Sequence, residues 1–199
     1  MPKKPQVARE EILRTALELV RSGGDGVLNA RALAKALGCS TQPIFRNFTD
    51  MQALRAALLE EIHNRYLAFM EAYIAASAHP PYKASGLAYI AFARTEPRLF
   101  RQLFMRERSS DREGPELADW EPTIAAVQGY TGLSHREAEL FHLELWGLVH
   151  GTAVMLATGY LDLDEETISG MLTDVYQGLK LKWGKENERD RNESADQAI

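Results

Sequence analysis

The 199-residue sequence predicts an all-α protein in which an N-terminal three-helix domain is joined by a long fourth helix to a larger helical domain. Nearly every apolar pattern repeats at helical spacing, and no segment shows the strict alternation of a strand. Glycines, prolines and capping residues separate these patterns at intervals that suit helices. With 45% hydrophobic and 26% charged residues, the chain has an ordinary globular composition and is long enough to bury a substantial core.

The first two helices are bounded by clear local signals. An apolar stripe over residues 6–23 ends at Gly23 and Gly24, which stop a helix readily. Asn29 is a good N-cap for a second, short helix, and Gly38 ends that helix with the positive φ needed to reverse the chain. The second segment is therefore predicted to be a short helix.

A third helix follows at once, and the pair has a helix-turn-helix pattern. Ala34, Gly38 and Ile44 provide the small residue, turn glycine and buried aliphatic that close packing of two short helices requires. Pro43 lies in the first turn if Ser40 or Thr41 caps the third helix, and no intrahelical hydrogen bond is lost there. The proline therefore fixes where this helix begins.

The rest of the chain also reads as helices. They are predicted at about 51–78, 82–95, 97–106, 116–130, 135–160 and 162–183. Ser134 and Glu137 have capping-box spacing, and either Asp162 or Asp164 caps the last helix. A mobile loop is predicted at 107–115. The domain prediction is 1–50, 51–183 and a disordered tail at 184–199.

Charge is distributed unevenly along the chain. Residues 1–55 contain nine Lys and Arg against five Asp and Glu, although the whole chain has a net charge of −5. A basic N-terminal quarter on an acidic remainder indicates two tasks in one chain.

A single cysteine excludes an internal disulfide, and the N-terminus has no apolar signal-peptide core. The sequence thus predicts a cytoplasmic protein without a membrane partner.

The run ILRTALELVRSGGDGVLNARALAKALGCSTQPIFRNFTDMQALRAALLEEI resembles the N-terminal domain of the tetracycline-repressor (TetR) family, with a match over about residues 9–62. FARTEPRLFRQLF and LWGLVHG, the latter with Trp146, His150 and Gly151, are similar to a common C-terminal type. The resemblance implies an all-helical homodimer that binds a palindromic operator in double-stranded DNA. It also implies a repressor that is released from the operator by a small-molecule effector.

The resemblance further implies a set of DNA-contacting residues: Asn29, Arg31, Thr41, Gln42, Pro43, Phe45, Arg46 and Asn47. Thr41 and Gln42 are base-reading candidates, and Arg46 and Asn47 are candidates for the DNA backbone. Arg31 either contacts DNA or pairs with an acid of the first helix, and Phe45 is either core or DNA-facing. Phe45 stands where the family usually has Tyr, and Met51 where it has Lys, so two phosphate contacts are lost.

The acidic C-terminal part contains the candidate effector-binding residues Phe92, Phe104, Trp120, His142, Trp146 and His150. His142, Trp146 and His150 recur every four residues on one side of a helix, and buried histidines need hydrogen-bonding partners that a polar ligand could provide. The alternative is that these residues are simply core. The last two helices are expected to form the dimer interface through four small residues and the stripe Leu172, Val175, Tyr176, Leu179 and Trp183.

The sequence motifs do not indicate catalysis or cofactor binding. His142 and His150 are two helical turns apart, too far to share one metal ion without a third element, and no nucleophile or phosphate-loop motif is present. We therefore predict no enzyme, no cofactor and no metal. Two other hypotheses stay open: a helical ligand-binding protein or enzyme with an incidental helix-turn-helix pattern, and a DNA-binding protein without an effector.

Overall fold

The structure is a computed structural model that describes residues 7–105 and 120–196, with side chains described through residue 184. Over these residues the secondary structure is entirely helical, as the sequence predicts. The helices are α1 (Arg9–Gly23), α2 (Ala30–Ala36), α3 (Gln42–Asn47), α4 (Met51–Ala76), α5 (Pro81–Thr95), α6 (Pro97–Phe104), α7 (Glu121–Thr131), α8 (His135–Thr158) and α9 (Glu165–Asp196). The predicted loop at 107–115 lies outside the described residues.

The predicted caps set the helix starts. Asn29 Oδ1 accepts hydrogen bonds from the backbone N–H groups of Arg31 and Ala32, at 3.1 and 2.9 Å. Ser134 and Glu137 form the predicted capping box at the start of α8. Of the two candidates before α9, Asp164 is the cap, since its Oδ1 accepts from Thr167 N at 2.7 Å. These contacts satisfy N–H groups that have no partner inside the helix.

The chain folds into two compact units that are discontinuous in sequence. One, which we call the head unit, contains described residues 7–73 and 92–105, and the other, the effector unit, contains residues 74–91 and 120–196. Residue 50, the predicted domain boundary, therefore marks the end of the three-helix motif. It does not separate the two compact units. The reason is that α4 and α6 add to the core around α1.

The core of the head unit is built around α1, which contacts α2, α3 and α6. One face of α1 buries Ile12, Ala16, Leu17 and Val20. The other helices contribute buried aliphatic and aromatic side chains: Leu33, Ala34, Ile44, Phe48, Leu54, Leu58, Leu99, Phe100 and Leu103. Gly38 has φ +63°, which confirms the predicted left-handed turn between α2 and α3.

The core of the effector unit lies between α7, α8 and α9. Its buried cluster consists of Ile124, Val127, Leu133, Ala138, Phe141 and Leu145. By length and composition, α8 is apolar enough to cross a membrane, and it is the helix of the described chain that meets this criterion. Because Ala138, Phe141 and Leu145 are buried against neighbouring helices, α8 has the features of a core helix here.

The apolar stripe on α9 packs within the chain. Val175, Tyr176, Leu179 and Trp183 pack against the core of their own chain, and Leu172 is buried. The periodicity located the apolar face of α9 correctly. That face packs against the core of α7 and α8 within the chain, while these four side chains stay partly exposed.

The end of α9 also differs from the sequence prediction. The helix does not stop near Trp183 but continues through Asp196, so the backbone of most of the expected disordered tail is helical. Residues 184–196 contain many Lys, Glu and Arg, which have high helix propensity. Extending an existing helix costs far less than nucleating one, so no apolar face is needed to continue it.

We predict that Gly38→Ala destabilises the protein by about 1 kcal/mol, because alanine is strained at positive φ. No atom lies within 4 Å of the added Cβ, so the cost is conformational and not steric. Gly129→Ala within α7 also meets no atom and should instead stabilise by up to about 1 kcal/mol. Denaturant unfolding of the two variants measures both values, and equal effects would contradict the prediction.

Candidate functional site

The start of α3 is the start that Pro43 predicts. Thr41 is the N-cap residue and Gln42 the first helical residue, so Pro43 occupies the second position. The backbone N–H at this position has no acceptor inside the helix, and the missing donor therefore costs no hydrogen bond. Thr41 and Pro43 are both half-buried at this tip.

The outward face of α3 consists of Gln42, Phe45 and Arg46, all of which are exposed. They lie three and four residues apart and hence share one side of the helix. Ile44 is fully buried and Phe48 is 3% exposed on the opposite side. Phe45 is 45% exposed, which rules out the core alternative for it within this chain. An amide, an aromatic ring and a guanidinium group are thus presented together.

Asn47 has a structural role at the end of α3. Its side-chain amide donates to the backbone oxygens of Pro43 and Val7, at 2.9 and 3.3 Å. Arg9 donates to the backbone oxygen of Asn47 at 3.2 Å, and its guanidinium carbon lies 4.3 Å from the centroid of the Phe48 ring. The remaining polar atom of the Asn47 side chain is an oxygen, which cannot donate to a phosphate. These contacts attach α3 to α1 and do not support the expected DNA contact of Asn47.

The outer side of α2 carries a second set of candidate groups. Asn29 caps the helix through Oδ1 and donates from Nδ2 to Val27 O at 3.3 Å. Arg31 is exposed and forms no ion pair with the described acids of α1. Lys35 is exposed one turn further along the same face. Lys35 is not among the residues predicted from the sequence, although its spacing of four residues from Arg31 was a usable signal.

The effector unit brings together four of the six candidate effector residues. Tyr82 Oη and His142 Nδ1 are 3.0 Å apart, and Tyr89 Oη and His150 Nδ1 are 2.9 Å apart. These two pairs join α5 to α8 at positions two turns apart on each helix. The histidines therefore have protein partners, and hydrogen bonding alone does not require a ligand beside them. Burial lowers the pKa of His142 and raises the pKa of Tyr82.

Two tryptophans complete this cluster. The Trp146 ring is 4.8 Å from Tyr89 and 5.3 Å from His150, centroid to centroid. Trp120 contacts His142 at 5.1 Å and Trp146 at 6.1 Å. Both tryptophans and both histidines are half-buried, which leaves part of each ring accessible. We call Tyr82, Tyr89, Trp120, His142, Trp146 and His150 the aromatic cluster.

Phe92 and Phe104 do not belong to the aromatic cluster. They lie in the head unit, where both pack edge-on against Tyr66, at 5.3 and 5.2 Å. Burial raises the pKa of Tyr66 to about 12. The expected set of six residues is therefore divided between two compact units. Among the described residues, no group of three His, Cys, Asp or Glu is placed to hold a metal ion.

A short exposed helix held by a compact three-helix core is the architecture of helix-turn-helix proteins. Residues 82–175 match the family described as tetracyclin repressor-like, C-terminal domain. This match covers 94 of the 199 residues, so the C-terminal region of the chain is similar to that family. The fold of the chain is similar to that of a TetR-like transcriptional regulator.

Solved structures share the fold over most of their length. A protein of unknown function from Rhodococcus sp. RHA1 is 23% identical with a TM-score of 0.68, covering 89% of this chain and 97% of its own. A TetR-like transcriptional regulator from the same organism is 13% identical, with a TM-score of 0.58 and coverages of 88% and 97%. The fatty acid degradation regulator FadR from Bacillus halodurans is 15% identical, with a TM-score of 0.53 and coverages of 90% and 96%. The comparison with curated proteins found no match.

We predict that His142 makes the protein less stable in acid. Since the pKa of His142 is lower in the folded state, the unfolded chain binds more protons as the pH falls below about 6.5. The contribution of neutral His142 to the free energy of unfolding is complete above that pH and decreases as the pH falls toward the folded-state pKa of His142. Thermal unfolding between pH 8 and pH 5 should show a smaller loss of Tm in His142→Asn than in the wild type.

The matched control for this measurement is His79→Asn, because His79 is exposed. This variant should keep the pH dependence of the wild type. A His142→Asn profile that runs parallel to the wild type would show that His142 does not titrate between the two states.

Proposed function

We propose that the protein is a dimeric transcriptional repressor that binds a palindromic operator through α3 and is released by a small-molecule effector. The observation that carries the proposal is the exposed face of Gln42, Phe45 and Arg46 on a helix whose opposite face is fully anchored. An anchored helix keeps its side chains at fixed positions, which base recognition requires.

The chemistry of this face suits the major groove. A glutamine amide forms paired hydrogen bonds with adenine, and an arginine does so with guanine or contacts a phosphate. Phe45 lacks a hydroxyl group, so its role is apolar contact with a thymine methyl group or a sugar. Arg31 and Lys35 add positive charge on α2, which favours the phosphate backbone irrespective of sequence.

The dimer proposal rests on an exposed face of α8 and on helical glycines. Leu140 and Leu143 are 40% and 49% exposed, and Gly147 and Gly151 follow at spacings of three to four residues. A Cβ on either glycine would meet no atom within 4 Å in this chain, so no described intrachain contact requires a glycine there. Glycine in the middle of a helix lowers stability by about 0.5–1 kcal/mol relative to alanine. Close approach of a second copy at Gly147 and Gly151 would explain why the helix has glycine there. Two copies would present two α3 helices to the two half-sites of a palindrome.

The aromatic cluster supports the effector part of the proposal. Its rings are half-buried except for that of the buried Tyr89, and the hydroxyl groups of both tyrosines are paired with histidine Nδ1 atoms. A ligand that inserts among these rings would change the relative positions of α5 and α8. In one form of the dimer, the spacing of the two α3 helices would not match the two half-sites of the operator. An effector that binds this form more tightly shifts the population toward it and so releases the DNA.

We predict that Gln42→Ala and Arg46→Ala each weaken operator binding by about tenfold without lowering Tm. Both side chains are exposed, so their removal leaves the core intact. The measurement is a gel shift with the duplex upstream of the protein's own gene, beginning at low salt, where phosphate contacts are strongest. Arg136→Ala, an exposed arginine of the effector unit, is the matched control and should bind as the wild type does.

Several outcomes would count against parts of this proposal. A wild-type protein that binds no duplex at low salt contradicts the DNA-binding role and favours a ligand-binding protein. Variants that unfold show that Gln42 and Arg46 are structural. In a reporter fused to the same upstream DNA, loss of the wild-type protein should raise expression, and a decrease would indicate an activator.

We predict that Leu143→Glu converts the dimer to a monomer, because a carboxylate would be buried without a partner at the interface. Sedimentation should then give a mass near 22.3 kDa in place of twice that value. Leu67→Glu is a control of equal exposure, since Leu67 is also 49% exposed but lies in the head unit. A dimer that persists in Leu143→Glu would place the interface elsewhere.

A further inference from the structure

The hydrogen bond between Tyr82 and His142 determines which nitrogen of the His142 ring carries the proton. Tyr82 Oη lies 3.0 Å from His142 Nδ1, and the hydroxyl has no other partner among the described residues. Burial raises the pKa of Tyr82, so the phenol stays neutral and keeps its O–H group. Because a half-buried O–H group without an acceptor is destabilising, the hydroxyl donates and Nδ1 accepts. The neutral His142 ring therefore carries its proton on Nε2.

Three N–H groups of the aromatic cluster have no hydrogen-bonding partner in the described part of the chain. They are His142 Nε2–H and the indole N–H groups of Trp120 and Trp146. Burial lowers the pKa of His142, so its Nε2–H is an uncharged donor at pH 7. Among the enclosed side-chain nitrogen and oxygen atoms of described residues, Trp183 Nε1 alone lacks a partner, so these three groups are open to solvent or a ligand. The three side chains thus offer donors and no free acceptor.

The carboxylates of the surrounding helices are not directed at these donors. The sequence of α5 contains no Asp or Glu. The four carboxylates of α7 and α8 have partners outside the cluster: His135 for Glu121 and Glu139, Lys182 for Glu144, and the Ser134 backbone for Glu137. An anionic ligand would meet N–H donors without a neighbouring carboxylate to repel it, whereas a cationic ligand would find no carboxylate partner here.

We propose that the aromatic cluster binds a planar aromatic carboxylate, whose oxygen accepts a hydrogen bond from His142 Nε2. The ring of the ligand packs against the accessible parts of Trp120 and Trp146, which lie 6.1 Å apart, centroid to centroid. A hydrogen bond to a charged acceptor is stronger than one to a neutral acceptor, so the carboxylate is preferred to an amide. The inference rests on the effector part of the proposed function and deepens it by naming the chemical class of the effector. All residues of the site lie within the effector unit.

The first experiment titrates the full chain with 2-naphthoate and three probes that each change one property. The amide 2-naphthamide removes the charge, 2-naphthyltrimethylammonium inverts it, and decahydro-2-naphthoate keeps the carboxylate but not the aromatic ring. By calorimetry, 2-naphthoate should bind about tenfold more tightly than the amide and the ammonium, and about threefold more tightly than the saturated acid. Equal or tighter binding of any other probe, or no binding of 2-naphthoate, would overturn the assignment.

Nitrogen–proton correlation spectra of the indole groups locate the bound 2-naphthoate. The chain has three tryptophans, and Trp183 is an internal reference because its described ring contact is with Lys182 and not with the cluster. The indole signals of Trp120 and Trp146, assigned by replacement with Phe, should shift, and that of Trp183 should not. A shift confined to Trp183, equal shifts of all three signals or no shift would show that the ligand does not bind at the aromatic cluster.

Replacement of His142 tests the donor itself. His142→Phe keeps a ring but removes Nε2–H, so the affinity for 2-naphthoate should fall by about tenfold and that for 2-naphthamide by about twofold. His142→Gln retains a side-chain N–H and should recover part of the loss. His79→Phe, at an exposed histidine of the same unit, is the matched control and should bind as the wild type does. Equal losses for both ligands in His142→Phe would reject the hydrogen bond.

The wild-type protein provides the same test if His142→Phe does not fold. Nitrogen NMR of the histidine rings should show His142 with Nε2 protonated and Nδ1 unprotonated, and the reverse tautomer would overturn the placement of the donor.

None of these measurements uses DNA, so they separate the inference from the proposed function. If 2-naphthoate binds at the cluster but leaves the upstream duplex bound in the gel shift, the ligand class is supported and release through this site is contradicted. A chain that retains the duplex but does not bind 2-naphthoate keeps its proposed role on DNA and overturns the ligand class.

Discussion

The outward face of α3 depends on one constraint, which is that α3 is too short to exist by itself. A helix of six residues, Gln42–Asn47, gains too few hydrogen bonds to offset the cost of nucleation. It persists because Ile44 and Phe48 are buried and because Asn47 and Arg9 bind it to the start of α1. The direction in which Gln42, Phe45 and Arg46 point is therefore set by the packing on α1 and not by α3.

The packing units differ from the division that sequence similarity suggests. The family match begins at residue 82 and ends at 175, yet residues 92–105 within it pack with the N-terminal helices. Leu99, Phe100 and Leu103 of α6 are buried, and α6 contacts α1. The matched region and the compact units therefore do not coincide.

Much of the fold could be predicted because its signals are local. Asn29, the Ser134–Glu137 box and Pro43 act within one helical turn, so their neighbours in sequence are also their neighbours in space. The grouping of Phe92 and Phe104 with His142 did not succeed, because the two units are assembled from discontinuous segments that periodicity cannot assign.

The sequence by itself determined an all-helical chain, the turn at Gly38 and the start of α3. Only the tertiary structure decided that Tyr82 and Tyr89 are the partners of His142 and His150, at separations of 60 and 61 residues. It also decided that the apolar stripe of α9 covers its own chain and that Asn47 anchors α3. The physical reason is common to these cases: helical spacing shows which side chains share a face, but the partner of that face is chosen by packing between distant segments.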